Sequence, residues 1–409
     1  MASIEAMWEE LVVRVLARVD KKDFLRYLPR VCLAKPSAEE DPLADVETFD
    51  GPVEDPTAPA VDGEPARNRM LLFSANDYLN LSTHPAVRKA SAKAALAFGM
   101  GPRSSAMVSG HTEYHRRLES VLAEMHKKEA CVVTPTGFAA NTAFLSALGG
   151  VATHNAASRR PAAHEKIAVF SDALNHASII DGLRMMERHQ QAVVSVYRHS
   201  DMQHLDELLS NCPFERKVVI TDSLFSMEGD FAPMLDLVQL RKKHRFLFVI
   251  DEAHTAFVCG RNGGGIGEVY GIEDQIDIIQ EMVGPGPGLG RPYIFSTASP
   301  VPVIAAAYAA VTVARKEGWR RQAVWNRVQE FAAMTKHPAT SPILSLVHML
   351  ERGFHVIAIR PPAVAPNACR LRVTLTTAHT SEDVKRLVSA LSECVPGLNR
   401  PVDQIAARL

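Results

Sequence analysis

A chain of 409 residues, 47% hydrophobic and 22% charged, is long enough to bury a sizeable core and to carry a second, smaller domain. Its formal net charge of -1 excludes a surface dedicated to nucleic acid and a polybasic membrane anchor, since both need concentrated positive charge. The six cysteines (Cys32, Cys131, Cys212, Cys259, Cys369, Cys394) are scattered without a Cys-x-x-Cys pair, which excludes a disulfide framework or zinc ribbon and fits a reducing compartment.

Residues 1–27 carry Glu5, Glu9, Glu10 and Asp20, which suits neither a signal peptide nor an acid-poor transit peptide. Trp8, Leu11, Val12, Val15 and Leu16 recur at helical spacing and predict an amphipathic helix packed on its own protein. Residues 35–67, rich in Pro, Asp, Glu and Ala, read as a long acidic surface loop. A short strand and turn follow at 69–81, then helices at 84–98 and 113–127.

Beyond these, short apolar runs alternate with helical stretches. Residues 130–133, 166–170, 192–197, 217–221 and 245–250 have strand length and little polar alternation, as expected where helices cover both faces of a sheet. They predict an α/β protein with a doubly wound, mainly parallel sheet. A long helix over 305–331 leads out of it, and strands at 353–359 and 369–375 with a helix at 381–394 form a small α+β domain. The expected organisation is an N-terminal helix and loop (1–68), a large domain (69–315) and a small C-terminal domain (316–409). No apolar run reaches the roughly 18 residues of a membrane-spanning helix. The tripeptide Ala407-Arg408-Leu409 is of the kind read by the peroxisomal import receptor, so the expected location is peroxisome or cytosol.

Several strand ends carry chemistry. Asp251-Glu252-Ala253-His254 spells the box of nucleotide-driven helicases, but the Gly-x-x-x-x-Gly-Lys-Ser/Thr phosphate loop that an NTPase needs is absent. The run Gly284-Pro285-Gly286-Pro287-Gly288-Leu289-Gly290 does not replace it, because proline removes amide donors that such a loop aims at phosphate. An aspartate at a strand end suits a pyridine-ring cofactor, whose ring nitrogen a fixed carboxylate keeps protonated. Residues 136–141, Thr-Gly-Phe-Ala-Ala-Asn, open a helix after a strand and place amide donors where phosphate could sit. Taken alone, that segment is equally a plain strand-to-helix turn. Asp172-Ala173-Leu174-Asn175-His176 and Asp222-Ser223-Leu224-Phe225-Ser226-Met227-Glu228-Gly229-Asp230 also follow strands, so four strand ends point polar groups at one edge of one sheet.

These segments, with Ser74-Ala75-Asn76-Asp77-Tyr78-Leu79-Asn80-Leu81, Ser109-Gly110-His111-Thr112-Glu113-Tyr114-His115 and Ala358-Ile359-Arg360-Pro361-Pro362, closely resemble the α-oxoamine synthases. That family has the type I fold and depends on pyridoxal 5′-phosphate; the resemblance runs from about residue 69 to about 391 and is strongest to the plant-like branch serving biotin synthesis. It implies that His176 stacks on the cofactor ring, Asp251 pairs with the ring nitrogen and His254 contacts the ring oxygen. It places Gly137 and Phe138 at the phosphate through backbone groups, has Ser226 hydrogen-bond the cofactor, and has Thr297 reach the phosphate of a neighbouring protomer in a homodimer. Asn76 and Arg372 line the substrate side, Arg372 as partner of the amino-acid carboxylate. The implied reaction joins L-alanine to the pimeloyl thioester of coenzyme A with loss of carbon dioxide.

One part is missing. The family bonds its cofactor to a lysine, which is also its general base. Between Lys243 and Lys316 this sequence has none. Where the family has its lysine segment and the strand that follows, the chain runs from Gln280 through Gly290 and resumes the pattern at Arg291-Pro292-Tyr293-Ile294-Phe295-Ser296. A second shortening falls between Val347 and His348. Asn80 and Phe257 stand where glycine is usual, and Ala363 replaces a substrate-contacting threonine. The chain is therefore expected to hold the cofactor without a covalent bond at best, with little or no turnover. The alternative is a lysine-less partner subunit that dimerises with a full-length homologue, an arrangement known in serine palmitoyltransferase.

Overall fold

The structure is a computed structural model; it describes residues 30–33, 45–49, 68–152, 166–280, 291–335, 339–346, 354–359 and 370–394. The expected N-terminal helix, residues 281–290, the shortening at 347–348, Arg360 to Ala363 and the C-terminal tripeptide lie outside these residues. The chain divides into two compact units, Met1–Leu72 with Leu350–His355, and Phe73–Met349 with Val356–Leu409.

In the first unit, β1 (Arg30–Leu33), β2 (Asp45–Phe49) and β3 (Asn68–Leu72) pair antiparallel in sequence order. The two-residue strand Phe354–His355, tenth in chain order, joins β3 in parallel. Strand β2 corrects the reading of 35–67 as loop throughout. Its acidic residues alternate with Val46 and Thr48, and ladder partners on both sides outweigh weak local propensity.

The second unit opens with three helices, α1 (Pro85–Phe98), α2 (Glu113–Met125) and α3 (Gly137–Ala152). Strands and helices then alternate: β4 (Ile167–Asp172), α4 (Ala177–Arg188), β5 (Ala192–Tyr197), α5 (Met202–Ser210), β6 (Lys217–Asp222), α6 (Met234–His244), β7 (Leu247–Asp251), α7 (Gly265–Tyr270) and β8 (Ile278–Gln280). The five strands form one parallel sheet in the order β5-β4-β6-β7-β8. Successive residues of β4, β6 and β7 enter opposite cores. Phe170, Val219, Phe248 and Ile250 pack with Leu205, Leu209, Leu237 and Val238 of α5 and α6. Ile167, Val169, Val218, Ile220 and Val249 pack with Phe144, Leu145, Ile179, Leu183 and Met186 of α3 and α4. Two buried faces explain why these strands read as continuous apolar runs. Each such buried side chain contributes about 1.5–3 kcal/mol of transfer free energy.

A short helix α8 (Arg291–Ile294) precedes α9 (Val301–Lys316) and α10 (Trp319–Thr335). The single helix expected over 305–331 is thus two, separated at Glu317 and Gly318; Glu317 has non-helical φ -101 and ψ 60. Strands β9 (Ile343–Leu346), β11 (Ile357–Ile359) and β12 (Arg370–Thr374) form an antiparallel sheet in the order β11-β12-β9, followed by α11 (Ser381–Cys394). No helix among the described residues is long and apolar enough to cross a membrane.

Residues 130–133 are not a strand, contrary to their composition. The parallel sheet ends at β8 among the described residues, so the run has no ladder to join. It is anchored instead by side chains: the Val133 amide donates to Glu119 Oε1 at 3.1 Å, and Val133 packs with Leu118, Leu122, Ile304 and Val311.

Candidate active site

The site is built where β6 and β7 end. Parallel register sets Asp222 beside Asp251. Asp251, 9% exposed, accepts from the Ala253 amide at Oδ1 (2.9 Å) and from Asn141 Nδ2 at Oδ2 (2.7 Å). The same Asn141 amide donates to Ser178 Oγ at 3.0 Å, and Ser178 Oγ lies 2.7 Å from His176 Nδ1. The Ser178 amide also points at Nδ1 from 3.3 Å, so Nδ1 accepts and the ring hydrogen sits on Nε2. Residues from α3, the start of α4 and the end of β7 thereby form one chain of hydrogen bonds from His176 to Asp251. His176 caps α4 and presents an exposed imidazole.

Two neighbouring turns hold Asp251 in place. Ser223 donates to the Asp251 carbonyl through its amide (2.8 Å) and its hydroxyl (2.7 Å), and its hydroxyl also meets Thr255 Oγ1 at 2.7 Å. Glu252 is fully buried, and its Oε1 accepts the Ile266 and Gly267 amides at the start of α7. The acidic pair of the Asp-Glu-Ala-His segment is thus divided: Asp251 faces the site and Glu252 caps a helix.

His254 Nδ1 and Tyr78 Oη are 2.7 Å apart, with the rings edge to face. Burial, and then the neighbouring Arg372 guanidinium, push the imidazole down to about 3, so it is neutral at physiological pH. Burial raises Tyr78 to about 12 despite the nearby Arg372 guanidinium. Arg372, buried on β12, donates from Nη2 to Asn76 Oδ1 at 2.8 Å, bringing together the two residues expected on the substrate side. Asp222 is buried, and desolvation followed by the charge of Asp251 holds its carboxyl well above the ordinary carboxylate range.

Gly137 and Phe138 are the first residues of α3, where an α-helix leaves its amides without intrahelical acceptors. Thr136 caps this end, its Oγ1 accepting from the Ala139 amide at 3.1 Å. Ser226 lies half-buried in the turn after β6, closed by the Leu224–Phe231 bridge and the bond from the Phe225 amide to the Asp230 carbonyl. Gly229 in this turn has φ +77, and a Cβ there would stand 2.4 Å from the Ile343 carbonyl oxygen. Thr297 is exposed and bridges Ser105, apart from the His176–Asp251 chain. Asn80 (φ 49) and Phe257 (φ 64) both adopt the left-handed backbone that their places in a glycine pattern imply.

The sequence alone did not assign Asn141, Ser178, Tyr78 or Asp222, although Asn141, Tyr78 and Asp222 lie within the motif segments and Ser178 two residues beyond one of them. Asn141 had a usable signal: it stands four residues after Gly137 and so one helical turn along the same face.

The donors and acceptors suit a phosphorylated pyridine cofactor in part. Asn141 Oδ1, buried beside Asp251, lacks a hydrogen-bond partner, so an acceptor there is left without a donor. That is the setting for a protonated ring nitrogen. The covalent tether is what does not fit. Four lysines beside this sheet are engaged elsewhere: Lys127 and Lys128 at Glu273, Lys217 at the Leu209 carbonyl and Lys243 at Asp206.

Residues 68–281 match the aminotransferase class I and II family. The chain is 55% identical over 357 residues to 8-amino-7-oxononanoate synthase of Arabidopsis thaliana, covering 80% of this chain and 75% of that one. It is 35% identical over 365 residues to the Anaeromyxobacter sp. (strain K) enzyme of the same name, covering 80% and 87%. In fold it is similar to Sphingomonas wittichii serine palmitoyltransferase (TM-score 0.74, 23% identity, 96% and 99% covered). It also matches 8-amino-7-oxononanoate synthase from Francisella tularensis (TM-score 0.60, 21% identity, 79% and 97% covered). With a type I fold and these relatives, the chain belongs to the α-oxoamine synthases, a pyridoxal 5′-phosphate-dependent branch of the class I and II aminotransferase family.

Proposed function

We propose that this chain is an 8-amino-7-oxononanoate synthase by descent, built for the condensation of L-alanine with pimeloyl-CoA in biotin synthesis, that holds pyridoxal 5′-phosphate only non-covalently and turns over little or not at all. The observation that carries this is the pairing of an assembled His176–Ser178–Asn141–Asp251 chain with a sequence lacking any lysine between Lys243 and Lys316. When bound, the cofactor supplies an electron sink for the amino-acid α-carbon. Asp251 would pair with the ring nitrogen, the His176 face would lie against the ring, Gly137 and Phe138 would meet the phosphate, and Ser226 would hydrogen-bond the cofactor. The neutral His254, held by Tyr78, would accept or donate at the ring oxygen. Arg372, steadied by Asn76, would bind the amino-acid carboxylate with paired hydrogen bonds. No residue in this set replaces lysine as tether and base.

The test is borohydride treatment of the purified protein with pyridoxal 5′-phosphate, followed by mass spectrometry. The reading expects saturable binding, complete loss of cofactor on gel filtration and no mass gain. One pyridoxyl phosphate fixed to a single lysine would overturn it.

A second reading is favoured by the surface. Leu96 (90% exposed), Phe98, Met100, Met107, Val108 (78%) and Phe295 (71%) are apolar and uncovered, and the Ser105–Thr297 bridge ties two of these segments together. Apolar exposure on this scale supports association. The partner would be a second copy, or a full-length homologue whose site receives Thr297. Co-expression with a full-length homologue, followed by sedimentation, separates the two from a monomer.

A further inference from the structure

The turns carrying His176 and Ser226 both pass one residue that the cofactor reading leaves unused. His199 follows β5. Its Nδ1 lies 3.0 Å from Asp172 Oδ1 at the end of β4, and its Nε2 lies 3.0 Å from Asp230 Oδ2 in the turn after β6. Its ring meets Phe225 edge to face at 4.5 Å. A neutral imidazole carries only one N–H, so donation to two carboxylates requires the cation. Ion pairing with Asp172 and then Asp230 accordingly raises His199 to about 10.

Each arm leads to a site residue. Asp172, 2% exposed, also accepts the Leu174 amide at Oδ1 (2.9 Å) and the Ser200 amide at Oδ2 (2.9 Å), fixing the start of the turn that ends at His176. The Ala173 amide donates to the Tyr197 carbonyl at 3.0 Å, so β5 holds the same turn a second time. Asp230 closes the turn containing Ser226 through its carbonyl, which accepts the Phe225 amide at 2.9 Å. From the geometry we infer that His199 is a positioning residue, an imidazolium brace that clamps the His176 turn and the Ser226 turn to the end of β5 so that both present their side chains to one ligand. The brace itself stands on the ligand-free geometry; its bearing on pyridoxal 5′-phosphate rests on the cofactor reading above.

The groups facing His199 are Asp172 from β4, Asp230 from the turn after β6 and the uncharged Phe225. On its own segment, Arg198 is turned to Asp201 (2.8 Å) and the buried Tyr197 hydroxyl is held in its protonated form. Above pH about 10 the imidazolium loses a proton and can serve only one carboxylate, so both arms cannot persist.

Amide hydrogen exchange on ligand-free wild-type protein, His199→Gln and Asp230→Asn tests this, with pyridoxal 5′-phosphate titrations in parallel. Removing the hub should speed exchange about tenfold or more in both turns, 173–176 and 223–229, while α3 and β7 keep their protection. Asp230→Asn cuts one arm and should free only 223–229. In wild type, after correction for intrinsic rates, the two turns should no longer both keep their protection as pH passes about 10. His199→Gln should weaken pyridoxal 5′-phosphate binding by about tenfold or more. Unchanged exchange in both turns of His199→Gln, or a uniform loss extending to α3 and β7, overturns the brace. If the turns respond as stated but wild type does not bind pyridoxal 5′-phosphate, the brace stands and the cofactor reading falls.

Discussion

Asn141 Nδ2 donates to Asp251 Oδ2 at 2.7 Å, making a helix residue the partner of the carboxylate at the end of β7. Asn141→Ala removes a hydrogen bond to a charged acceptor, worth about 1.5–3 kcal/mol, and also frees Ser178 and through it His176. The expected outcome is at least about tenfold weaker pyridoxal 5′-phosphate binding, measured by fluorescence titration. Asn141→Asp should be worse than alanine, since it places like charges side by side. Equal affinities for wild type and Asn141→Ala would remove Asn141 from the site.

The neutral state of His254 has a consequence for acid stability. Its folded pKa, about 3, lies below the ordinary 6.5, so on acidification the unfolded chain takes up this proton before the folded one does. Stability therefore falls as pH drops from about 6.5 toward 3 and is fully present above that window. Denaturation midpoints measured from pH 7 to pH 4 should decline less steeply for His254→Gln than for wild type.

Asp222 acts in the opposite sense. Its folded pKa is raised, so the folded protein keeps a proton that the unfolded chain releases. Stability from this group is greatest below the unfolded carboxylate range and declines as pH rises toward the folded value. Asp222→Asn should gain on wild type as pH rises from 5 to 8 in urea denaturation. An unchanged difference between the two proteins across that range would mean that Asp222 is ionised in both states.

Gly265 has φ +78, and a Cβ there would fall 1.6 Å from Glu252 Oε2. Gly265→Ala must strain the backbone, at about 1–3 kcal/mol, and displace the carboxylate that caps α7. A measurable fall in Tm is expected, the shift per kcal/mol lying below the roughly 2–4 °C found for domains of about 150–250 residues because it shrinks as the chain lengthens. Gly271→Ala, where the added atom meets nothing within 4 Å but φ is +63, should lose less. That pair separates the steric contribution from the backbone one.

The strands were readable because the sheet buries two faces, and two-faced burial writes unbroken runs such as Val218-Val219-Ile220 into the sequence. Asp251, His176 and Asn76 were readable as motif residues, through resemblance and not through spacing. Asn141 and Ser178 were not, because their role arises from contacts between segments 37 and 110 residues apart. Composition misled at 130–133 for a related reason: strand propensity is local, whereas a ladder needs a neighbour. At 45–49 the neighbour was present, and it made a strand from an acidic stretch.

Across the ends of β6, β7 and β8 the register aligns Asp222, Asp251 and Gln280 in one lateral row. Side chains alternate along a strand, so a slip of β7 by one residue would take Asp251 out of that row and put Ile250 or Glu252 in its place. The chemistry and the alignment of the sheet are thus one measurement. A ligand that finds Asp251 reports that three strands stopped at the same level, and its affinity can serve as a gauge of correct folding that does not depend on turnover.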